Sequence, residues 1–131
     1  MRLNRFYQNG NGKKKEVLLL DDEEEIGWIM GKFLRDAGHR FSYVCTASEA
    51  IKKVKASKNL DMVIVDFKLS DGNGLGFIKK ARSINNRVRF AMLTAHGTAE
   101  VRKKANDLGV DYFLDKPLRI EKLLDIVAKD C

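Results

Sequence analysis

No apolar run in these 131 residues approaches the roughly 18 needed to cross a bilayer. The opening residues, "MRLNRFYQNGNGKKKE", lack the apolar centre of a secretion signal. The chain is therefore expected to be soluble and cytoplasmic, with no membrane partner. Cysteine is scarce, and Cys45 and Cys131 together make no disulfide framework. Histidine is as scarce, and His39 and His96 show no zinc-ligand spacing. Both histidines read as ordinary polar residues near element ends. A P-loop is also missing. "SDGNGLG" (70–76) has three glycines but lacks the Gly-Lys-Ser/Thr that holds nucleotide phosphates, so it reads as a tight turn.

Charge is plentiful, with a net of +7, but it is unevenly spread. Arg2, Arg5, Lys13, Lys14 and Lys15 face only Glu16 in the first 16 residues, which accounts for +4 of the total. Residues 1–15 are polar, basic and rich in Gly and Asn, and read as a flexible arm ahead of one domain, 16–131. No recognition motif accompanies the arm, so nucleic acid is not expected as a partner of this domain alone.

From Glu16 onward, short apolar runs alternate with helical periodicity. "VLLL" (17–20), "FSYV" (41–44), "MVIV" (62–65), "VRFAML" (88–93) and "DYFL" (111–114) read as strands. Ile26, Ile29, Met30, Phe33 and Leu34 mark one face of the first helix, which Gly38 ends. Thr46 and Glu49 form a capping box for the second, with Ala47, Ala50, Ile51 and Val54 on its apolar face. A third helix is expected from about Leu75 to Ser83, and a fourth near 98–108, ended by Gly109. Ile120, Leu123, Leu124 and Val127 line the last. Near-continuous apolar strands are those covered by helices on both faces. The expectation is an α/β fold, a doubly wound parallel sheet of five strands, (βα)5, in the flavodoxin-like order 2-1-3-4-5.

Ligands of such sheets bind outside the carboxyl ends of the strands. Asp21 and Asp22 follow the first strand, Asp66 the third, Thr94 the fourth, and Lys116 lies near the end of the fifth. One aspartate after a strand is usually a turn residue. Four separate segments delivering polar groups to one rim are harder to explain so. Converging carboxylates repel, and a hard divalent cation such as Mg²⁺ relieves the repulsion with oxygen ligands. A carboxylate can also be the nucleophile that forms an aspartyl phosphate. Phosphoryl transfer then needs a cation and donors around the phosphoryl oxygens, which Lys116 and the Thr94 hydroxyl supply.

Residues 16–131 resemble the receiver domain of two-component response regulators, the chemotaxis-regulator-like fold. The resemblance rests on "LLLDDEEE", "VIVDFKLSDGNGL", "AMLTAHG" and "GVDYFLDKPL", in order and at the family's spacing. It implies that Asp66 is the phosphoacceptor and that Asp22 ligates Mg²⁺ directly, with Asp21 acting mainly through metal-bound water. Lys68 would offer the metal its backbone carbonyl. Lys116 would pair with the phosphoryl group ahead of a cis Lys116–Pro117 peptide. Thr94 would be the switch hydroxyl and Phe113 the ring that follows it. Ser70 stands where the family often has proline, implying a looser loop, and Phe113 lacks the hydroxyl of the common tyrosine. Lys68 and His96, each two residues beyond a key position, would tune the lifetime of the phosphoryl group.

The implied partners are a histidine kinase or a histidine phosphotransfer protein, and an effector domain or downstream protein that reads the face of helix four, strand five and helix five. Arg102, Lys103 and Lys104 lie on that face, and off-face Trp28 on helix one is either a surface aromatic or a partner contact. The chain would assist its own phosphorylation without turning over an outside substrate. A receiver-like binding module that works without phosphorylation usually lacks one of the acids, the threonine or the lysine, and all are present. A haloacid-dehalogenase-type phosphatase needs a DxD after the first strand and a cap, and "LLLDDEE" lacks that spacing. Within the acid run, Asp21 and Asp22 are assigned to metal, and Glu23, Glu24 and Glu25 to the dipole of helix one.

Overall fold

The apolar runs form five parallel strands of one sheet, in the order β2-β1-β3-β6-β7. These are β1 (Glu16–Leu20), β2 (Arg40–Val44), β3 (Met62–Asp66), β6 (Arg89–Thr94) and β7 (Tyr112–Asp115). A two-strand hairpin, β4 (Lys68–Leu69) with β5 (Gly72–Asn73), follows β3. The helices are α1 (Glu24–Asp36), α2 (Ala47–Ala56), α3 (Gly74–Ile84), α4 (Ala99–Asp107) and α5 (Ile120–Ala128). The computed structural model describes residues 13–95 and 97–129. Most of the basic arm, His96 and Cys131 lie outside them.

Alternation of side chains along each strand explains the continuous apolar runs. Leu18, Leu20, Val63, Val65, Phe90 and Met92 point to one face, where α2 and α3 pack Ile51, Val54, Phe77 and Ile78 against them. Val17, Leu19, Met62, Ile64, Ala91 and Leu93 point to the other, under Met30 and Leu34 of α1 and Leu123, Leu124 and Val127 of α5. Burying each such side chain contributes about 1.5–3 kcal/mol. A strand with a solvated face would have shown polar residues at every second position.

Helix ends follow their local chemistry. Thr46 accepts from the Glu49 amide at 3.2 Å, which is the first half of the expected box, while the Glu49 carboxylate takes the Thr46 hydroxyl at 3.1 Å. Asn73 caps α3 and Thr98 caps α4 in the same way. Gly38 and Gly109 follow α1 and α4 with φ of 92° and 80°, a conformation that costs glycine little.

Three expectations are corrected here. Of the five residues read as the buried face of α1, Met30 and Leu34 are buried, and Ile26 and Phe33 are half-buried. Gly27, Met30, Gly31 and Leu34 are buried, whereas Ile29 is 40% exposed. The two glycines let the helix lie close on β2, with the Tyr43 and Phe41 rings filling the space where side chains would stand. Strand and helix ends shift by one or two residues, so that Asp66 and Thr94 belong to their strands. The loop after Asp66 is a paired hairpin, Lys68 opposite Asn73 and Leu69 opposite Gly72, which sequence periodicity did not show.

Gly74 opens α3 directly behind Asp66. A Cβ there would lie 2.5 Å from the Asp66 carbonyl oxygen and 2.9 Å from a Val65 methyl. The Gly74 amide donates to the Phe67 carbonyl at 2.8 Å, which holds helix and strand end together. Gly74→Ala should therefore destabilise the domain by about 1–3 kcal/mol despite alanine's better helix propensity. Urea unfolding followed by far-ultraviolet circular dichroism checks this, and an unchanged midpoint would contradict it.

His39 is buried, with its Nδ1 accepting from the Lys15 amide at 3.0 Å and its Nε2 without a partner. Burial lowers its pKa, with help from the nearby Lys15 charge and some opposition from Asp61. The unfolded chain thus takes up this proton at a higher pH than the folded one. Stability from the neutral ring is full above the ordinary histidine range, about 6.5, and falls as pH drops through it. His39→Asn should flatten the loss of stability between about pH 7.5 and 5.5, measured by urea midpoints.

Candidate functional site

The parallel ladder brings the carboxyl ends of β1, β3, β6 and β7 to one rim. Leu20 pairs with Val65, Asp66 with Leu93, and Thr94 with Asp115. Asp21 leaves β1 fully buried, Asp66 ends β3 at 5% exposed, and Thr94 ends β6 at 3% exposed. Asp22 is exposed. One carboxylate oxygen from each of Asp21, Asp22 and Asp66 lies within 4.8 Å of the others.

Lys116 enters from the end of β7. Its amide donates to the Thr94 carbonyl at 2.9 Å, and the Lys116–Pro117 peptide is cis, as the resemblance implied. Its ammonium lies 2.8 Å from Glu23, 3.3 Å from Asp66 and 3.8 Å from Asp21. Asp22, Glu23, Asp66, Lys68, Thr94 and Lys116 line a cavity of about 340 Å³, together with Phe67 and Ala95. Lys68 donates its amide to Asp66 Oδ1 at 3.3 Å, and its side chain is exposed.

The electrostatics follow from burial. Asp21 is pushed up to about 6, chiefly by desolvation and further by Asp66, although the Glu23 amide at 2.8 Å holds it down in part. Burial also raises Asp66, against the opposing pull of Lys116 and the Lys68 amide. For Lys116, burial acts downward, but Glu23, Asp21 and Asp66 outweigh it and the pKa is raised. Asp21 Oδ2 is buried without a hydrogen-bond partner. An orphaned carboxylate oxygen among converging oxygen donors fits a hard divalent cation of the Mg²⁺ class.

Phe113 does not join this cavity. It pairs with Met92 across the ladder, so it shares the Thr94 face of the sheet, and it packs on the α2–α3 side. The Arg102 guanidinium lies 4.7 Å from its ring centroid and 3.3 Å from Asp115. Trp28 is 70% exposed, with the Lys32 ammonium 5.7 Å from its ring.

Sequence reasoning missed three residues. Glu23 reads from sequence as a helix-dipole acid, yet its carboxylate meets Lys116. Arg102 reads from sequence as part of a charged face, yet it covers Phe113. Asp71 was not singled out, and both of its oxygens accept from the Ala47 amide at 3.1–3.2 Å, capping α2 from the hairpin. The acid run flagged Glu23, but nothing in it says which acid turns inward.

The sequence model of the response regulator receiver domain matches residues 17–128. The transcriptional regulatory protein CusR of Escherichia coli K12 is 32% identical over 83% of this chain and 48% of its own length. The receiver domain of HemR from Leptospira biflexa, in its non-phosphorylated form, superposes with a TM-score of 0.81 at 27% identity, over 90% of this chain and 97% of that one. A Burkholderia pseudomallei response regulator, solved with a phosphorylated aspartic acid, a calcium ion and citrate, superposes with a TM-score of 0.80 at 25% identity. That match covers 87% of this chain and 66% of that one. The fold and its acidic rim are thus those of a signalling receiver. The chain belongs to the response regulator receiver domain family of two-component signal transduction. It spans about half or less of the curated relatives it matches, 24% of a Rickettsia bellii NtrX-like regulator and 48% of CusR.

Because folding raises Asp21 above the ordinary carboxylate value, the metal-free fold binds this proton more tightly than the unfolded chain does. That contribution to stability is full below about pH 4 and is lost as pH rises through about 6. In chelator at pH 7, Asp21→Asn should melt higher than the parent, and the gap should close towards pH 4. Added Mg²⁺ should raise the parent's melting temperature and have little effect on the variant. A parent melt flat in Mg²⁺ would count against the site.

Proposed function

We propose that residues 16–131 form a phosphorylation-controlled switch whose phosphoacceptor is Asp66. The observation that carries this reading is the convergence of Asp21, Asp22 and Asp66 within 4.8 Å, beside the Lys116 ammonium, at the carboxyl edge of the sheet. The donor would be a phosphohistidine on a histidine kinase or a histidine phosphotransfer protein. The neighbour from Burkholderia pseudomallei, with its phosphorylated aspartic acid and calcium ion, supports the same chemistry here.

In this reading an Asp66 oxygen attacks phosphorus, a P–O bond forms, and the donor's P–N bond breaks with its electron pair going to the histidine nitrogen. Asp21, Asp22, Asp66 and the Lys68 carbonyl would hold Mg²⁺. The cation, when bound, neutralises charge on the phosphoryl oxygens. The protein's own groups do the rest. Lys68 orients the Asp66 carboxylate through its amide. Lys116, already 3.3 Å from Asp66, takes a phosphoryl oxygen. Thr94 moves its hydroxyl towards the new group, and Phe113 follows on the same face of the sheet. The changed surface of α4, β7 and α5 is then read by an effector domain or a downstream protein.

The only turnover is of the domain's own aspartyl phosphate, so no outside substrate is processed. The work is assigned to the cytoplasm, and among the described residues no helix is long and apolar enough to cross a membrane. Incubation with Mg²⁺ and acetyl phosphate, followed by intact mass, should give a phosphate-sized gain. The gain should vanish in Asp66→Asn and in chelator. No gain in the parent protein would turn the reading towards a phosphorylation-independent binding module.

A further inference from the structure

Glu23 stands at the N-cap of α1, yet its side chain makes no capping hydrogen bond. Glutamate is not among the favoured caps, since Ser, Thr, Asp and Asn reach the orphan amides better. The Glu23 backbone serves the helix, its carbonyl accepting from Ile26 and Gly27, and steadies the site, its amide donating to Asp21 Oδ1. The carboxylate turns instead across the cavity mouth to Lys116 at 2.8 Å. This is the shortest of the three ion pairs Lys116 makes, ahead of Asp66 at 3.3 Å and Asp21 at 3.8 Å. The Glu23 side chain is 58% exposed, whereas that of Lys116 is only 18% exposed.

We propose that Glu23 sets the rate at which Asp66 accepts a phosphoryl group, by holding the Lys116 ammonium at the cavity mouth and adding negative charge where an anionic donor must enter. The inference rests on Asp66 being the phosphoacceptor. Lys116 is the cation that already lies against Asp66, and every part of its charge committed to Glu23 is withheld from an incoming phosphoryl oxygen. Glu23 also joins Asp21, Asp22 and Asp66 as a fourth acid on the approach path. Its carboxylate is partly in water, so the effect is modest and sensitive to salt. Glu23 is thus a positioning residue that acts through Lys116, and it favours a donor whose docking supplies the approach energy over a free phosphate ester or anhydride.

The test is the initial rate of phosphorylation by acetyl phosphate at saturating Mg²⁺, measured by intact mass across a series of NaCl concentrations. Glu23→Gln should be about two- to fivefold faster than the parent at low salt, with the gap closing as salt rises. A structural role alone would not create that salt dependence. Equal rates at all salt concentrations, or a slower variant, would overturn the proposal. If the parent takes up no phosphate, the failure belongs to the assignment of Asp66 rather than to Glu23. The Glu23–Lys116 contact is then judged by a thermal double-mutant cycle with Lys116→Gln. Non-additive melting shifts support the contact, and additive shifts overturn it.

Discussion

Like charges forced together at the end of a rigid sheet are the constraint around which this domain is arranged. Asp21 and Asp66 cannot move apart, because Leu20 and Val65 immediately before them are paired in the ladder and buried in the same core on one face of the sheet. The fold pays for this crowding with a core on both faces of the sheet. The crowding is also what makes the site chemical. A carboxylate lifted by burial, one of whose oxygens has no hydrogen bond, favours anything that brings positive charge. Lys116 brings some of it, and its backbone is tied to Thr94, so the cation is positioned by the end of β6 itself.

The two sides of the rim are held with unequal firmness. α1, α2, α3 and α5 each bury three or four residues, whereas α4 buries only Ala105. Elements with few buried apolar contacts open at low free energy. The helix next to Thr94 is therefore the one most cheaply repositioned. Arg102 spans this region, reaching the Gly97 carbonyl, the Phe113 ring and Asp115, so that movement of the ring must disturb a cation as well as a packing contact.

Much of this was legible from sequence, because buried parallel strands and amphipathic helices carry different periods. Leu18 and Leu19 both read as core, and both are, on opposite faces. The rim residues were legible because each stands at or just past the end of a strand. The orientation of α1 was not, since periodicity counts large apolar side chains and here the contact is made by their absence at Gly27 and Gly31. The hairpin after Asp66 has two-residue strands, too short to show any period. Glu23 and Arg102 were hidden for another reason: charge says that a side chain has partners, and only the folded chain says which. His96 and the basic arm lie outside the described residues.

Trp28 has a consequence for how the molecule is observed. It is the sole tryptophan, 70% exposed on the outer side of α1, with a lysine ammonium for company. Its indole meets water in the native fold and would meet water in the denatured chain. Tryptophan emission should therefore shift little on unfolding, leaving the domain nearly silent to the commonest optical probe. The same placement makes Trp28 a clean reporter for anything that covers α1 from outside, because the fold itself contributes so little to its environment.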